Sequence, residues 1–119
     1  MNAIFVYGLL KPGYSLHHVV APYVTDSTSA VARGRLYDAG VPAARFDEDG
    51  VIEGFVLWLD EGRLDEALAV LDDVEDEGEV YSRITVDVAS GVGAISAHGS
   101  HYLPSLEGRP MVGERWPKD

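Results

Sequence analysis

The residue of most chemical interest is a glutamate on the apolar face of a predicted helix. Leu64, Leu68 and Leu71 recur at helical spacing, and the same pattern continues to Glu75. At about 100° per residue, Glu75 lies only about 20° around the helix from Leu64. A carboxyl group turned toward the core loses hydration, which raises its pKa and suits it to accept and return a proton. The spacing alone also allows a helix that frays before Glu75, or a structural ion pair with Arg83.

A glycine turn near the N-terminus offers a second kind of chemistry. In VYGLLKPG, residues 6–13, Gly8 follows a short apolar run, a position where backbone N–H groups can face an oxyanion or a carboxylate. The stretch lacks the glycine spacing of a P-loop or of a dinucleotide-binding fingerprint. The sequence therefore disfavours nucleotide binding and leaves two interpretations, a simple strand end or a backbone anion site.

Other familiar catalytic patterns are missing from the sequence. His98 and His101 fall on opposite faces of a predicted strand, and the two adjacent histidines near the N-terminus diverge, so we expect no metal site. The chain has no cysteine and no GxSxG motif, which excludes a thiolate nucleophile and gives no support for a serine hydrolase. Trp58 and Trp116 could line a pocket, but core packing is the favoured role.

The elements that must position these groups are five predicted strands and one main helix. The strands, chosen by β-branched and aromatic content, are Ala3 to Tyr7, Val31 to Tyr37, Val51 to Leu59, Tyr81 to Ala89 and Ala94 to Leu103. The helix runs from about Glu61 to Glu75, and a short helical turn from Ser15, its predicted cap, to Val20 ends before Pro22. This order predicts an α+β domain whose sheet curls around or packs on the helix.

Composition limits the classes of partner. The chain has 119 residues, which suits a single domain over residues 1–119. Nine Lys and Arg against twenty Asp and Glu give a net charge of −11, which repels phosphate backbones and anionic membrane surfaces. No stretch is long and apolar enough for a membrane span, and the N-terminus lacks a basic leader. We therefore expect a cytoplasmic protein without nucleic-acid or membrane partners; the sequence gives no indication of an oligomeric state.

Three separated stretches form a recurring pattern. YGLL, residues 7–10, follows a strand and precedes Lys11 and Gly13. The middle of the chain, Arg33 to Asp60, contains a G-x-L-Y strand, a proline turn and a second strand with an internal glycine. The third stretch has the pattern LDxxE followed by YxR, and its residues are Leu71, Asp72, Glu75, Tyr81 and Arg83. Together these stretches resemble the γ-glutamylcyclotransferase-like proteins, which include γ-glutamylamine cyclotransferases and plant avirulence-induced proteins, over about Ile4 to Trp116.

The resemblance implies a fold, a site and a reaction. The implied fold is a small mixed β-barrel with one main helix packed against it, and the implied acid/base is Glu75. The implied substrate-binding residues are Tyr7, Gly8, Leu9 and Leu10, through their backbone amides, with Tyr81 as a further contact. The α-amine of a γ-glutamyl amine, amide or peptide would attack its own γ-carbonyl and release 5-oxoproline. This small-molecule reaction needs no cofactor and no metal.

Two residues depart from the family pattern, and two other functions remain open. Leu9 stands where the family usually has Thr or Ser, so a side-chain hydrogen bond is lost while the backbone N–H groups stay. Asp76 stands where many relatives have glycine, directly after Glu75. The first alternative function is a non-catalytic member of the same fold that binds a small molecule or a protein. The second, less favoured, is an amidohydrolase in which Glu75 activates water.

Overall fold

The structure is a computed structural model and describes residues 1–116. Five strands form a closed barrel in the order β1–β5–β2–β6–β7, and two further strands, β3 and β4, form a separate two-stranded sheet. The strands are β1 (Ala3–Val6), β2 (Val24–Arg33), β3 (Arg35–Asp38), β4 (Pro42–Arg45), β5 (Val51–Leu59), β6 (Tyr81–Ser90) and β7 (Gly93–Tyr102). The helices are α1 (His17–Val20) and α2 (Leu64–Val74), with 3-10 turns at Ala21–Tyr23 and Glu61–Arg63.

The barrel is mixed because its first and last strands run parallel. The junctions β1–β5, β5–β2, β2–β6 and β6–β7 are antiparallel. Strand β1 then pairs with β7 in parallel, with Ile4 opposite His98 and Phe5 opposite Gly99. This short parallel pairing closes the barrel, and the expected small mixed barrel with a main helix is confirmed.

One predicted strand is wrong in its bounds at both ends, and one strand was not predicted. The segment Val31 to Tyr37, expected as one strand, belongs to two strands. Gly34, with a φ of 153°, interrupts the extended conformation between the end of β2 and the start of β3. Strand β2 also begins earlier, at Val24, because its polar first half pairs with β5 although it carries few apolar residues. Strand β4 has the sequence PAAR, which lacks the β-branched residues that signal a strand, yet it pairs with β3 in full.

Helix α2 lies against the outside of the barrel. A 3-10 turn precedes it, and the Asp60 side chain accepts a hydrogen bond from the Gly62 N–H at 3.0 Å. Ala67 and Leu71 are buried in a core cluster that also contains residues of β1 and β5, so the predicted apolar stripe packs as expected. The predicted cap of the short helix is wrong, because the cap residue of α1 is Leu16, which makes no side-chain capping hydrogen bond.

The barrel interior holds a second core cluster, against which Trp58 and Trp116 pack, in agreement with the core-packing role expected for both tryptophans. Across residues 1–116, no helix has the length and apolar character needed to cross a bilayer.

Candidate active site

A cavity of about 140 Å³ lies between strand β1, helix α2 and the start of β4. A single buried water needs only about 10–15 Å³, so this space admits a small organic molecule. Three parts of the wall are the loop after β1, the end of α2 and the start of β6. The lining residues from those parts include the predicted site residues Tyr7, Gly8, Leu9, Leu10, Glu75 and Tyr81. The fold thus brings the loop of residues 7–10 together with Glu75 and Tyr81, which lie far from it in the sequence, while the roles of all six residues stay predictions.

Glu75 takes its direction from the end of helix α2. Its N–H donates to the Leu71 carbonyl at 2.9 Å, and its φ of −88° and ψ of 0° keep the chain close to helical geometry. Asp76 follows with a φ of 52° and turns the chain away from the helix axis. The helix therefore does not fray before Glu75, and the carboxyl group faces the cavity, as the spacing predicts.

Burial raises the pKa of Glu75 from its ordinary value of 4.5 to about 7. The cause is lost hydration, which destabilises the charged form. Within residues 1–116, its carboxylate has no ion-pair or hydrogen-bond partner. The alternative ion pair with Arg83 is not formed, because Arg83 pairs with Asp72 instead, at 2.8 Å. Glu75 is therefore a carboxyl group that can gain or lose a proton near neutral pH.

Two tyrosines accompany Glu75 in the cavity wall. The Tyr7 hydroxyl donates to the Ser100 carbonyl at 2.6 Å, and the Tyr81 hydroxyl donates to the Pro42 carbonyl. Burial raises the pKa of both phenols, and the negative charge of Glu75 raises each of them further. Both rings stay neutral at physiological pH, so they can orient a bound molecule but not act as bases.

The loop after β1 presents free backbone donors. The N–H groups of Gly8, Leu9 and Leu10 donate to no acceptor within residues 1–116, whereas the Gly8 and Leu9 carbonyls accept hydrogen bonds from Lys11 and Leu16. The loop is thus held by its carbonyl groups, while consecutive N–H groups stay available at the cavity. Buried N–H groups usually have an acceptor, and an anionic ligand would supply one here.

Gly8 is required by the close approach of the neighbouring wall. A Cβ atom at this position would lie 2.6 Å from Cγ of Pro42, the first residue of β4. Glycine therefore lets the loop and β4 pack against each other. Pro42 and the adjacent Val41 line the cavity, although no sequence pattern selected them as site residues.

Lys11 holds the far side of this loop and does not line the cavity. Its side chain is only 4% exposed, and its ammonium group donates to the Trp116 carbonyl and lies 4.4 Å from the centre of the Tyr14 ring. Burial lowers its pKa, and the nearby charge of Arg115 lowers it further. A buried cation so placed fixes the loop to the C-terminal segment.

Besides Val41 and Pro42, two polar residues of the cavity wall were not predicted from the sequence. His98 and Ser100 lie on β7, which is next to both β1 and β6 in the barrel. His98 and Ser100 are two positions apart and so share one strand face, a signal that becomes useful only when the barrel order is known. In the part of the chain that the structure describes, no three His, Asp or Glu side chains are placed to hold a metal ion.

The closed mixed barrel with its two helices has the fold of an AIG2-like protein of known structure. A family model described as γ-glutamyl cyclotransferase, AIG2-like, matches residues 4–117. The chain therefore belongs to this family, as the three sequence stretches predict.

Solved structures show the same fold. YkqA from Bacillus subtilis is 29% identical, with a TM-score of 0.74, and the match covers 96% of this chain but only 39% of that protein. An AIG2-like protein from Mus musculus is 21% identical, with a TM-score of 0.78, and the match covers 98% of this chain and 88% of the mouse protein. Protein ytfP from Escherichia coli is 25% identical, with a TM-score of 0.61 and coverages of 94% and 92%. The comparison with curated proteins gives no match.

Proposed function

We propose that this protein is a γ-glutamylcyclotransferase-like enzyme that releases 5-oxoproline from a γ-glutamyl amine, amide or peptide. The proposal rests on the shared cavity of one carboxyl group and one loop. Glu75, whose pKa is raised to about 7, lines the same cavity as the loop with three free backbone N–H groups. A proton acceptor and an anion-binding loop are the two functions that this reaction requires from a protein.

In the proposed reaction Glu75 transfers protons from the attacking nitrogen to the leaving nitrogen. Its carboxylate takes a proton from the α-ammonium group of the substrate, and the freed amine attacks the γ-carbonyl carbon. A C–N bond forms to close a five-membered ring, and the bond from the γ-carbon to the leaving nitrogen breaks. Glu75 gives its proton to that nitrogen and then takes the second excess proton from the ring nitrogen, which the departing amine carries away as an ammonium ion. One γ-glutamyl amide with an α-ammonium group thus becomes 5-oxoproline and a protonated amine, with no other reactant.

The loop after β1 has the complementary role of binding the γ-glutamyl group. The free N–H groups of Gly8, Leu9 and Leu10 would receive the α-carboxylate or the oxygen that becomes negative during attack. Because no Lys or Arg side chain from residues 1–116 lines the cavity, backbone donors are the groups suited to this anion. Leu9 contributes through its backbone here, so the hydroxyl usual at this position in the family is not required.

Folding of the substrate supplies most of the rate advantage. When the amine and the γ-carbonyl of one molecule are held in contact, intramolecular attack can lower the barrier by several kcal/mol, up to about 7–11 in well-oriented systems. Proton transfer by a placed carboxyl group adds about 10²–10⁴-fold. The neighbouring rings of Tyr7 and Tyr81, each fixed by its own hydrogen bond, limit the conformations of a bound chain.

The test is product analysis with a panel of γ-glutamyl amines, γ-glutamyl dipeptides and glutathione. Mass spectrometry follows 5-oxoproline and free glutamate for the wild type, for Glu75→Gln and for Asp73→Asn. Asp73 is the matched control, since it is an exposed carboxylate on the same helix end. We expect 5-oxoproline from the wild type and the control, and a loss of about 10²-fold or more in Glu75→Gln.

Other outcomes would replace the proposal. Free glutamate as the product would identify an amidohydrolase. Binding of γ-glutamyl compounds without turnover would identify a binding member of the fold. Full activity in a folded Glu75→Gln variant would remove Glu75 from the mechanism.

A further inference from the structure

Arg83 joins helix α2 to the barrel directly beside Glu75. Its Nε and one terminal nitrogen donate to the two carboxylate oxygens of Asp72 at 2.8 and 3.2 Å. The backbone N–H of Arg83 donates to the Glu77 carboxylate at 3.0 Å. One strand residue thus binds side chains on both sides of the turn that contains Glu75. The Arg83 and Asp72 side chains are about 30% exposed, at 28% and 31%, so solvent weakens this pair less than an open surface pair.

Asp72 is also the residue whose backbone closes the turn. The Glu77 N–H donates to the Asp72 carbonyl at 2.9 Å, and the Asp76 N–H donates to the Asp73 carbonyl at 3.3 Å. These two bonds around a left-handed residue make a Schellman motif, which ends the helix in a defined direction. Asp72 therefore has two roles: its side chain binds Arg83, and its carbonyl group accepts the hydrogen bond that closes the turn.

The barrel side of this contact is tied to the rest of the cavity. Arg83 lies two residues after Tyr81 on β6 and pairs with Ser100 on β7. The carbonyl of Ser100 accepts the hydrogen bond from the Tyr7 hydroxyl. The paired strands β6 and β7 therefore connect Arg83 to both tyrosines of the cavity wall, because Tyr81 lies on β6 and Tyr7 donates its hydrogen bond to β7.

From this arrangement we propose that Arg83 is a positioning residue, which acts through Asp72 to hold the Glu75 turn at a fixed place relative to the tyrosines and the loop after β1. The inference rests on the proposed function of Glu75. Arg83 does not line the cavity itself; it reaches the cavity wall through Asp72 and the turn, and its second terminal nitrogen lies 3.5 Å from Nδ1 of His98. A planar guanidinium that binds both carboxylate oxygens fixes orientation as well as distance. Misplacement of a reacting group by about 1 Å can cost about 100-fold in rate.

The test compares Arg83→Gln and Asp72→Asn with Arg63→Gln. Arg63 is the matched control because it forms an ion pair with Glu66 at the other end of the same helix, 2.5 Å apart and about half exposed. We expect kcat for 5-oxoproline release to fall about 10-fold or more in the first two variants, with KM within about threefold of wild type. We expect Arg63→Gln to change neither constant. Circular dichroism checks that each variant folds. If Arg83→Gln does not fold, Asp72→Asn alone tests the role of the ion pair.

A second readout does not need turnover. We expect the NMR signals of the Glu75 carboxyl carbon and backbone amide to shift in Arg83→Gln and in Asp72→Asn, but not in Arg63→Gln. Unchanged Glu75 signals, an unchanged kcat, or an equal loss in Arg63→Gln would overturn the positioning role. If the wild type has no cyclotransferase activity, the proposed function fails, and the NMR comparison still decides whether Arg83 holds the turn.

Discussion

Glu75 is less stable as an anion in the folded protein than in the unfolded chain, because the cavity wall replaces water around it. Its pKa rises from 4.5 to about 7, so between these values the folded state binds more protons than the unfolded state. The free energy of unfolding therefore falls as pH rises through this interval. A shift of this size corresponds to about 3 kcal/mol once the group is fully ionised.

Removing the charge at Glu75 should therefore stabilise the protein at alkaline pH. The change in the free energy of unfolding caused by Glu75→Gln should depend on pH. We expect this change to be more stabilising at pH 8 than at pH 5, by up to about 3 kcal/mol. Urea denaturation of both proteins at the two pH values measures this difference. The exposed Asp73→Asn is the control and should show no such change; an equal effect in both variants would contradict the burial of Glu75.

The helix face on which Glu75 lies could be predicted from the sequence, but the residues around its carboxyl group could not. The helical period places Glu75 on the stripe of Leu64, Leu68 and Leu71, and that placement depends on local geometry alone. The partner of Arg83 depends on where β6 crosses the end of α2, which periodicity does not contain. Only the folded structure therefore identifies Asp72, which lies at the edge of the apolar stripe, as the ion-pair partner of Arg83.

Among the elements, the turn between α2 and β6 contains the one non-glycine residue with positive φ in the described part of the chain. Asp76, at a φ of 52°, has a conformation that L-residues adopt at a cost and glycine adopts freely. The glycine that many relatives have at this position therefore has a simple physical reason, the Schellman turn itself.

Replacing Asp76 by glycine should stabilise the turn. We expect Asp76→Gly to raise the free energy of unfolding by about 0.5–1 kcal/mol. Asp73→Gly, within the helix, should instead lower it by a few tenths to about 1 kcal/mol, since glycine is a poor helix former. Thermal and urea denaturation measure both effects. A loss of stability in Asp76→Gly would show that the Asp76 side chain supports the turn.

Some strands are easier to predict from their own residues than others. Strand β5, Val51–Leu59, is rich in β-branched and aromatic residues, and its predicted bounds are confirmed. The first half of β2 is polar, and β4 has two alanines at its centre, so neither has the usual signal. Both are strands because their neighbours supply hydrogen bonds, which is tertiary context that no local pattern contains.

For the molecule as a whole, barrel closure depends on tight contact between β1 and β5. A Cβ atom on Gly54 would lie 2.3 Å from the Val6 carbonyl oxygen and 3.0 Å from the Phe5 ring. Val6 is the last residue of β1, directly before the loop that lines the cavity. Any side chain at Gly54 must therefore displace the strand that connects the barrel to the site.

Gly54→Ala should weaken the whole fold. We expect a loss of about 1–3 kcal/mol in the free energy of unfolding, the usual cost of overpacking a filled core. Gly91→Ala, where no described atom lies within 4 Å of the added Cβ, should change stability little. Urea denaturation distinguishes the two variants, and equal stabilities would contradict the close β1–β5 approach.

The parallel pairing of β1 with β7 also determines the order in which the molecule can assemble. Strand β1 is synthesised well before β7, whose His98 and Gly99 lie opposite Ile4 and Phe5. A contact between such distant segments has a large loop-closure entropy cost and forms slowly. During translation the loop after β1 therefore emerges before β7, and its cavity is complete only after β7 has left the ribosome.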